Sequence, residues 1–168
     1  MPTNAEVQGW VERSRFLRSR WNERYTSAIE AQVKLNEAFR LLRKKGLIAK
    51  QKFLCCRGCA GCQLAHDVTE SLDKGRKVPK GAVFYTKQDG FFDGINPRKL
   101  YLSFGSVETQ KHGVIGEPTV KVGELVCQAL DAVGLSWEWD GTEDTTIVVD
   151  PCPGLWNENP RSRLERVT

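Results

Sequence analysis

Apolar positions along this chain change period several times, and each change marks an element. Ala28, Ala31, Leu35, Ala38, Phe39 and Leu42 recur at helical spacing and make one stripe. Arg43, Lys44 and Lys45 follow, where cations suit a helix C-terminus, and Gly46 suits the residue just past it. Upstream, helix is also expected from residue 4, as a second and weaker piece. There Arg13, Arg15, Arg18, Arg20 and Arg24 interleave with Trp10, Phe16, Leu17 and Trp21. Beyond Gly46, LIAKQKFLCC predicts a strand over 50–56. Helical period returns over 62–73, with Leu64, Val68 and Leu72 on one face and Cys62 and His66 nearly opposite. Strands are expected at 81–87 (GAVFYTK) and 99–105 (KLYLSFG), with loops at QDGFFDGINPR between them and at 106–118 after them. Val122, Leu125, Val126, Ala129, Leu130 and Val133 predict a helix over 119–133, stopped by Gly134. Two short strands, 135–139 and 145–149, flank the Asp140-Gly141 turn signal.

The order from Lys50 is β-α-β-β-α-β-β. It predicts an α+β fold, resembling a split β-α-β arrangement with one added strand. The sheet is expected to be antiparallel or mixed, of about five strands, with helices on one face, preceded by a long N-terminal helical arm. The division is an arm over 1–27, an α+β domain over 28–150 and an irregular tail over 151–168.

Composition adds a few bounds. The 168 residues are 40% hydrophobic and include five tryptophans, enough for a packed core. A net charge of +4 permits an acidic partner or nucleic acid without requiring either. No apolar run approaches the roughly 20 residues that span a bilayer, and the N-terminus lacks a signal-like apolar segment. The expectation is a cytoplasmic protein with no membrane partner. In that setting clustered cysteines point to metal or redox chemistry more than to disulfides.

Four of the six cysteines fall in Cys55-Cys56-Arg57-Gly58-Cys59-Ala60-Gly61-Cys62, with His66 four residues on. Thiolate and imidazole are the donors zinc prefers, and Cys56, Cys59, Cys62 and His66 make a full Cys3His set. Four other readings stand beside structural zinc. Cysteines also pack as small hydrophobes. Cys56 and Cys59, spaced C-x-x-C with Arg57 between, could serve a thiol enzyme or redox sensor. An iron–sulfur cluster on Cys56, Cys59, Cys62 and Cys152 has the spacing but lacks the rest of a ferredoxin framework. A triad of Cys56 or Cys59 with His112 and Asp89 would need those groups to meet in space. Cys127 flanks the apolar stripe of its helix and reads as packing.

Phosphate-binding glycine loops, zinc-protease helices and serine-nucleophile elbows are missing from the sequence, which favours a non-enzymatic binding or regulatory module. Its partner is expected to be another protein, reached through Trp10, Arg15, Arg18, Arg20 and Trp21 of the arm and the Phe91-Phe92 tip. A regulatory inhibitor of phage or bacterial type would have this character. Nucleic acid is the alternative partner, because arginines can neutralise phosphates and aromatics can stack on bases.

From Ala38 to Val149 the chain resembles a small bacterial domain family of unknown function. The resemblance rests on AFRLLRKKGLIAKQKFLCCRGC, VFYTKQD, LYLSFG and VGELVCQALDAVGLSWEWDGTEDTTIVV. It implies that Phe53, Cys55, Cys56 and Cys59 form one motif, and that Phe84, Tyr85, Gln88 and Asp89 form another. Where the family pattern carries a histidine after the aromatic pair, this chain has Thr86. Cys62 and His66 fall outside the pattern, as does the N-terminal arm.

Overall fold

The computed structural model describes residues 1–93 and 96–149, and their side chains except at 16–29 and 90–98. Three helices and eight strands follow one another among these residues. They are α1 (Asn4–Lys44), β1 (Ile48–Lys50), α2 (Arg57–Asp73), β2 (Ala82–Phe84), β3 (Gly90–Asp93), β4 (Asn96–Gly105), β5 (Val107–Thr109), β6 (Gly113–Ile115), α3 (Thr119–Val133), β7 (Trp137–Glu138) and β8 (Ile147–Val149). The fold is α+β around a mixed sheet, with the long N-terminal helix that the sequence predicts.

That helix is one rod rather than two pieces. A capping box starts it: Glu6 N–H donates to Thr3 Oγ1, and Thr3 N–H donates to Glu6 Oε2. From Leu35 onward its stripe is buried, with Leu35, Ala38, Phe39 and Leu42 at 1% exposure or less. The rod runs unbroken past residues 27 and 28, so the arm and the first core element are continuous. At about 1.5 Å per residue, its exposed start at Asn4 lies about 46 Å from Leu35, where the buried stripe begins.

The main sheet runs in the order β1-β2-β4-β8-β7, and β3 also pairs with β4. Among the described residues, β1 and β2 are the one hydrogen-bonded parallel pair, with Ile48 opposite Ala82 and Ala49 opposite Val83. They are direct neighbours, so no strand splits the β1-α2-β2 unit. The outer strands are short, three residues in β1 and two in β7.

Alternation along the strands sorts the apolar residues into two layers. Ala49, Val83, Tyr85, Leu100, Leu102, Ile147 and Val149 meet α1 and α3 in the larger core. The α3 face expected from the sequence packs there, with Val122, Val126, Ala129 and Leu130 buried and Leu125 and Val133 partly so. Ile48, Ala82 and Phe84 point the other way and meet Leu64, Val68 and Leu72 of α2, together with Val107 and Ile115 of the β5–β6 hairpin. So α2 does not share a sheet face with α3, as the sequence reading had it. Chain direction supplies the reason. Parallel crossovers are right-handed. The β1-α2-β2 and β4-α3-β7 crossovers both step the same way across the sheet, but β4 runs opposite to β1. One handedness then places the two helices on opposite faces.

Two segments expected to be loops are paired. β3 forms a hairpin with β4, and β5 with β6. The strand expected at 50–56 stops at Lys50, because Lys52 and Leu54 turn the chain with φ of 50° and 60°. Among the described residues, no helix is long and apolar enough to cross a membrane.

Close packing makes one glycine of α3 sensitive. A Cβ on Gly123 would lie 2.6 Å from the Trp139 ring and 2.7 Å from Phe104. Those two rings meet edge-on, with centroids 5.3 Å apart. Gly→Ala normally favours a helix by about 1 kcal/mol. Here Gly123→Ala is expected to destabilise the domain by about 1–3 kcal/mol through overpacking. Urea denaturation measures the change, and a stabilised variant would contradict this packing.

Candidate metal centre

The cysteine run is not a knuckle between strand and helix, because α2 begins at Arg57 rather than Cys62. Ala60, Leu64 and Val68 are its buried face, spaced four apart, so the helical stripe extends back into the cysteines. Cys56 is the extended residue that opens the helix, at φ −149° and ψ 167°, and Cys59 lies in the first turn. Cys55 precedes them on the strained link from β1. That link is pinned to the chain beyond β2: Phe53 N–H donates to Tyr85 O at 2.8 Å, and Lys87 N–H to Leu54 O at 3.3 Å. Two positive-φ residues held this way turn Cys55 and Cys56 toward Cys59.

The sulfurs of Cys55, Cys56 and Cys59 lie within 4.8 Å of one another. Cys55 and Cys59 are exposed, and Cys56 is half-buried. The Cys56 sulfur makes no full capping hydrogen bond, yet the Cys59 N–H lies on its side. That N–H, the thiols of Cys59 and Cys55, and the Gly58 N–H together hold the Cys56 thiol below its ordinary pKa. Cys59 is pushed up to about 11, because its proton is kept in hydrogen bonds first to Cys56 and then to Cys55, with the nearby thiolate charge adding to the effect. Loss of a proton from this pair is thus favoured at Cys56 over Cys59.

These donors fit a thiophilic cation. At a Zn–S distance near 2.3 Å, tetrahedral geometry places sulfurs about 3.8 Å apart, so they need close by roughly 1 Å at most. Deprotonating all three would accompany binding.

Other expected site residues lie elsewhere. Cys62 is on the next turn of α2, outside the three-sulfur group. His66 is seven residues beyond Cys59, about 10 Å along the helix axis. Its side chain is 72% exposed, and Nδ1 lies 3.6 Å from Asp67. His112 joins neither the thiols nor Asp89. Its Nε2 lies 3.0 Å from Asp73 at the far end of α2, where Lys111 also binds at 2.7 Å. These two partners, Lys111 first, hold the Asp73 carboxyl below its usual range. Cys127 is buried in the larger core, where desolvation pushes its thiol up to about 11. Trp10 is 62% exposed beside exposed Val7 and Val11, and Arg15 is exposed too. The side chains of Arg18, Arg20, Trp21, Phe91 and Phe92, and all of Cys152, lie outside the described residues.

Sequence reasoning overlooked the clasp between Arg57 and Asp89. Arg57 Nε donates to Asp89 Oδ1 at 2.8 Å, and the Asp89 side chain is only 6% exposed. Its other oxygen accepts from Thr86 N–H at 2.8 Å and Thr86 Oγ1 at 2.9 Å. Thr86, fully buried, thus braces the carboxylate at the position where a histidine was expected. The clasp ties the first residue of α2 to the chain beyond β2. Asp89→Asn keeps an acceptor for Thr86 but loses the charge. It is expected to cost about 1–3 kcal/mol. Arg57→Ala should add little in that background, a non-additivity that a double-mutant cycle measures. Full additivity would mean that the two residues act separately.

A family model described as a domain of unknown function, DUF6891, matches residues 3–158. The match takes in the N-terminal helix, which the sequence resemblance had left outside. No curated protein and no solved structure matches the chain. The chain belongs to the DUF6891 family.

Proposed function

For this member of the family, we propose a small binding or regulatory module built on a thiolate metal centre, with zinc held by Cys55, Cys56 and Cys59. One observation carries the reading: three sulfurs within 4.8 Å of one another at the start of a single helix. Thiolates select soft or borderline cations such as zinc and disfavour magnesium or calcium. The ligand set goes from the four expected from sequence to three, with Cys62 and His66 left out and Cys55 brought in. Metal analysis of protein purified without added metal tests it. About one zinc per chain is expected, and a chelator should lower the melting temperature. Metal-free protein that is fully folded and indifferent to chelator would end the reading.

Action is assigned to protein contacts through the arm. Val7, Trp10 and Val11 are exposed together on α1, and tryptophan is among the residues that most often anchor such surfaces.

A second reading, thiol chemistry, is favoured by Cys56 and Cys59 sitting in C-x-x-C spacing on the first turn of α2. Alkylation rates against pH on metal-free protein separate it from the first. Uniformly slow thiols at neutral pH would remove it.

A further inference from the structure

We infer that the three-thiol cluster is an open metal centre whose fourth position takes a thiolate from a low-molecular-weight thiol. The inference rests on the metal reading above and names the ligand that completes the site.

Three features of the cluster lead there. The first is the ligand count: Cys55, Cys56 and Cys59 converge, and the next donors along α2 do not join them among the described residues. A closed structural zinc site uses four protein ligands, whereas three leave a position for an outside ligand. The second is direction. The Gly58 and Cys59 N–H groups at the start of α2 point at the Cys56 sulfur, a place that favours anions over the open side of a cation. Cys55 and Cys59 are exposed, which places the proposed fourth position toward solvent. The third is rigidity. The pinned link and the Arg57–Asp89 clasp hold the chain around Cys55 and Cys56, and Cys62, one turn beyond Cys59, lies outside the three-sulfur group.

The donor type follows from softness. A cation already held by three sulfurs prefers a fourth soft donor over a carboxylate or carbonyl. On binding, the incoming thiol gives its proton to solvent, its sulfur bonds to the metal, and no oxidation state changes.

The test uses the full chain loaded with cobalt(II) in a phosphine reductant, titrated with 2-mercaptoethanol. The thiolate-to-cobalt charge-transfer absorbance should rise saturably by about a third, as three sulfurs become four. Cys62→Ser, His66→Ala and Cys152→Ser should each give the same titration. A four-sulfur spectrum before thiol is added, reduced in Cys62→Ser or Cys152→Ser, would overturn the inference in favour of a closed site. A three-sulfur spectrum that ignores the thiol would also overturn it. Sedimentation of cobalt-loaded protein without thiol separates another source of the sulfur. A metal-dependent dimer would assign the fourth thiolate to a second copy and overturn the small-thiol assignment. Failure of the metal reading looks different: no charge-transfer band forms at all, and the inference falls with it.

Discussion

Leu130→Asp is expected to leave the domain largely unfolded in buffer. Leu130 is fully buried where α3 meets the sheet, beside Val126, Ala129 and Ile147. Truncating a buried leucine alone costs about 2–5 kcal/mol. An unpaired carboxylate in the same place adds a desolvation cost of several kcal/mol more. Together these rival the roughly 5–15 kcal/mol that holds a domain folded. Circular dichroism and urea titration read the result, with exposed Glu124→Ala as a control expected within about 0.5 kcal/mol of the parent. A cooperative transition within about 1 kcal/mol of the parent would show that α3 does not bury this face.

The second large effect is on metal. Cys56→Ser should lower zinc affinity by more than the roughly 10–100-fold lost with an outer-shell partner, because it removes a ligand outright. The fold should survive. Cys56 opens α2 without a side-chain capping bond, and serine is a preferred residue there, so helix formation gains rather than suffers. Metal loss and unfolding are thereby separated in one variant. Cys62→Ser should bind zinc like the parent. Competition titration against a chromogenic chelator measures both, and equal affinities in the two variants would move the site away from Cys56.

The elements legible in the sequence are those whose apolar residues face one core. The α3 stripe, the buried half of α1 and the strands at 82–84, 100–105 and 147–149 all follow from period alone. What escaped depended on partners. In QDGFFDGINPR the glycines, aspartates and proline suggest loop, but β3 and β4 pair there, with Asp93 opposite Asn96. VET and GVI are too short and polar to read as strands until they pair. Gly58 and Gly61 argue against helix by propensity, yet buried Ala60 sits one turn before Leu64 and tertiary packing prevails. The side of the sheet that α2 takes depends on strand order, which no local pattern encodes. At the site, C-x-x-C marked Cys56 and Cys59 correctly as neighbours. Cys55 was hidden because a regular strand would turn adjacent residues to opposite faces, and positive φ at Lys52 and Leu54 breaks that rule. Asp89 was hidden because its partner is 32 residues away.

The brevity of the outer strands bears on how other molecules can engage this protein. A peptide that docks by extending a sheet needs a run of free backbone amides and carbonyls along the edge. β1 offers three residues, and the carbonyl of Ala49 is already taken by Arg43 Nε from α1 at 3.0 Å. β7 offers two. Such stunted margins also guard against edge-to-edge aggregation. Docking by main-chain register is therefore disfavoured at both ends of the β1-to-β7 path.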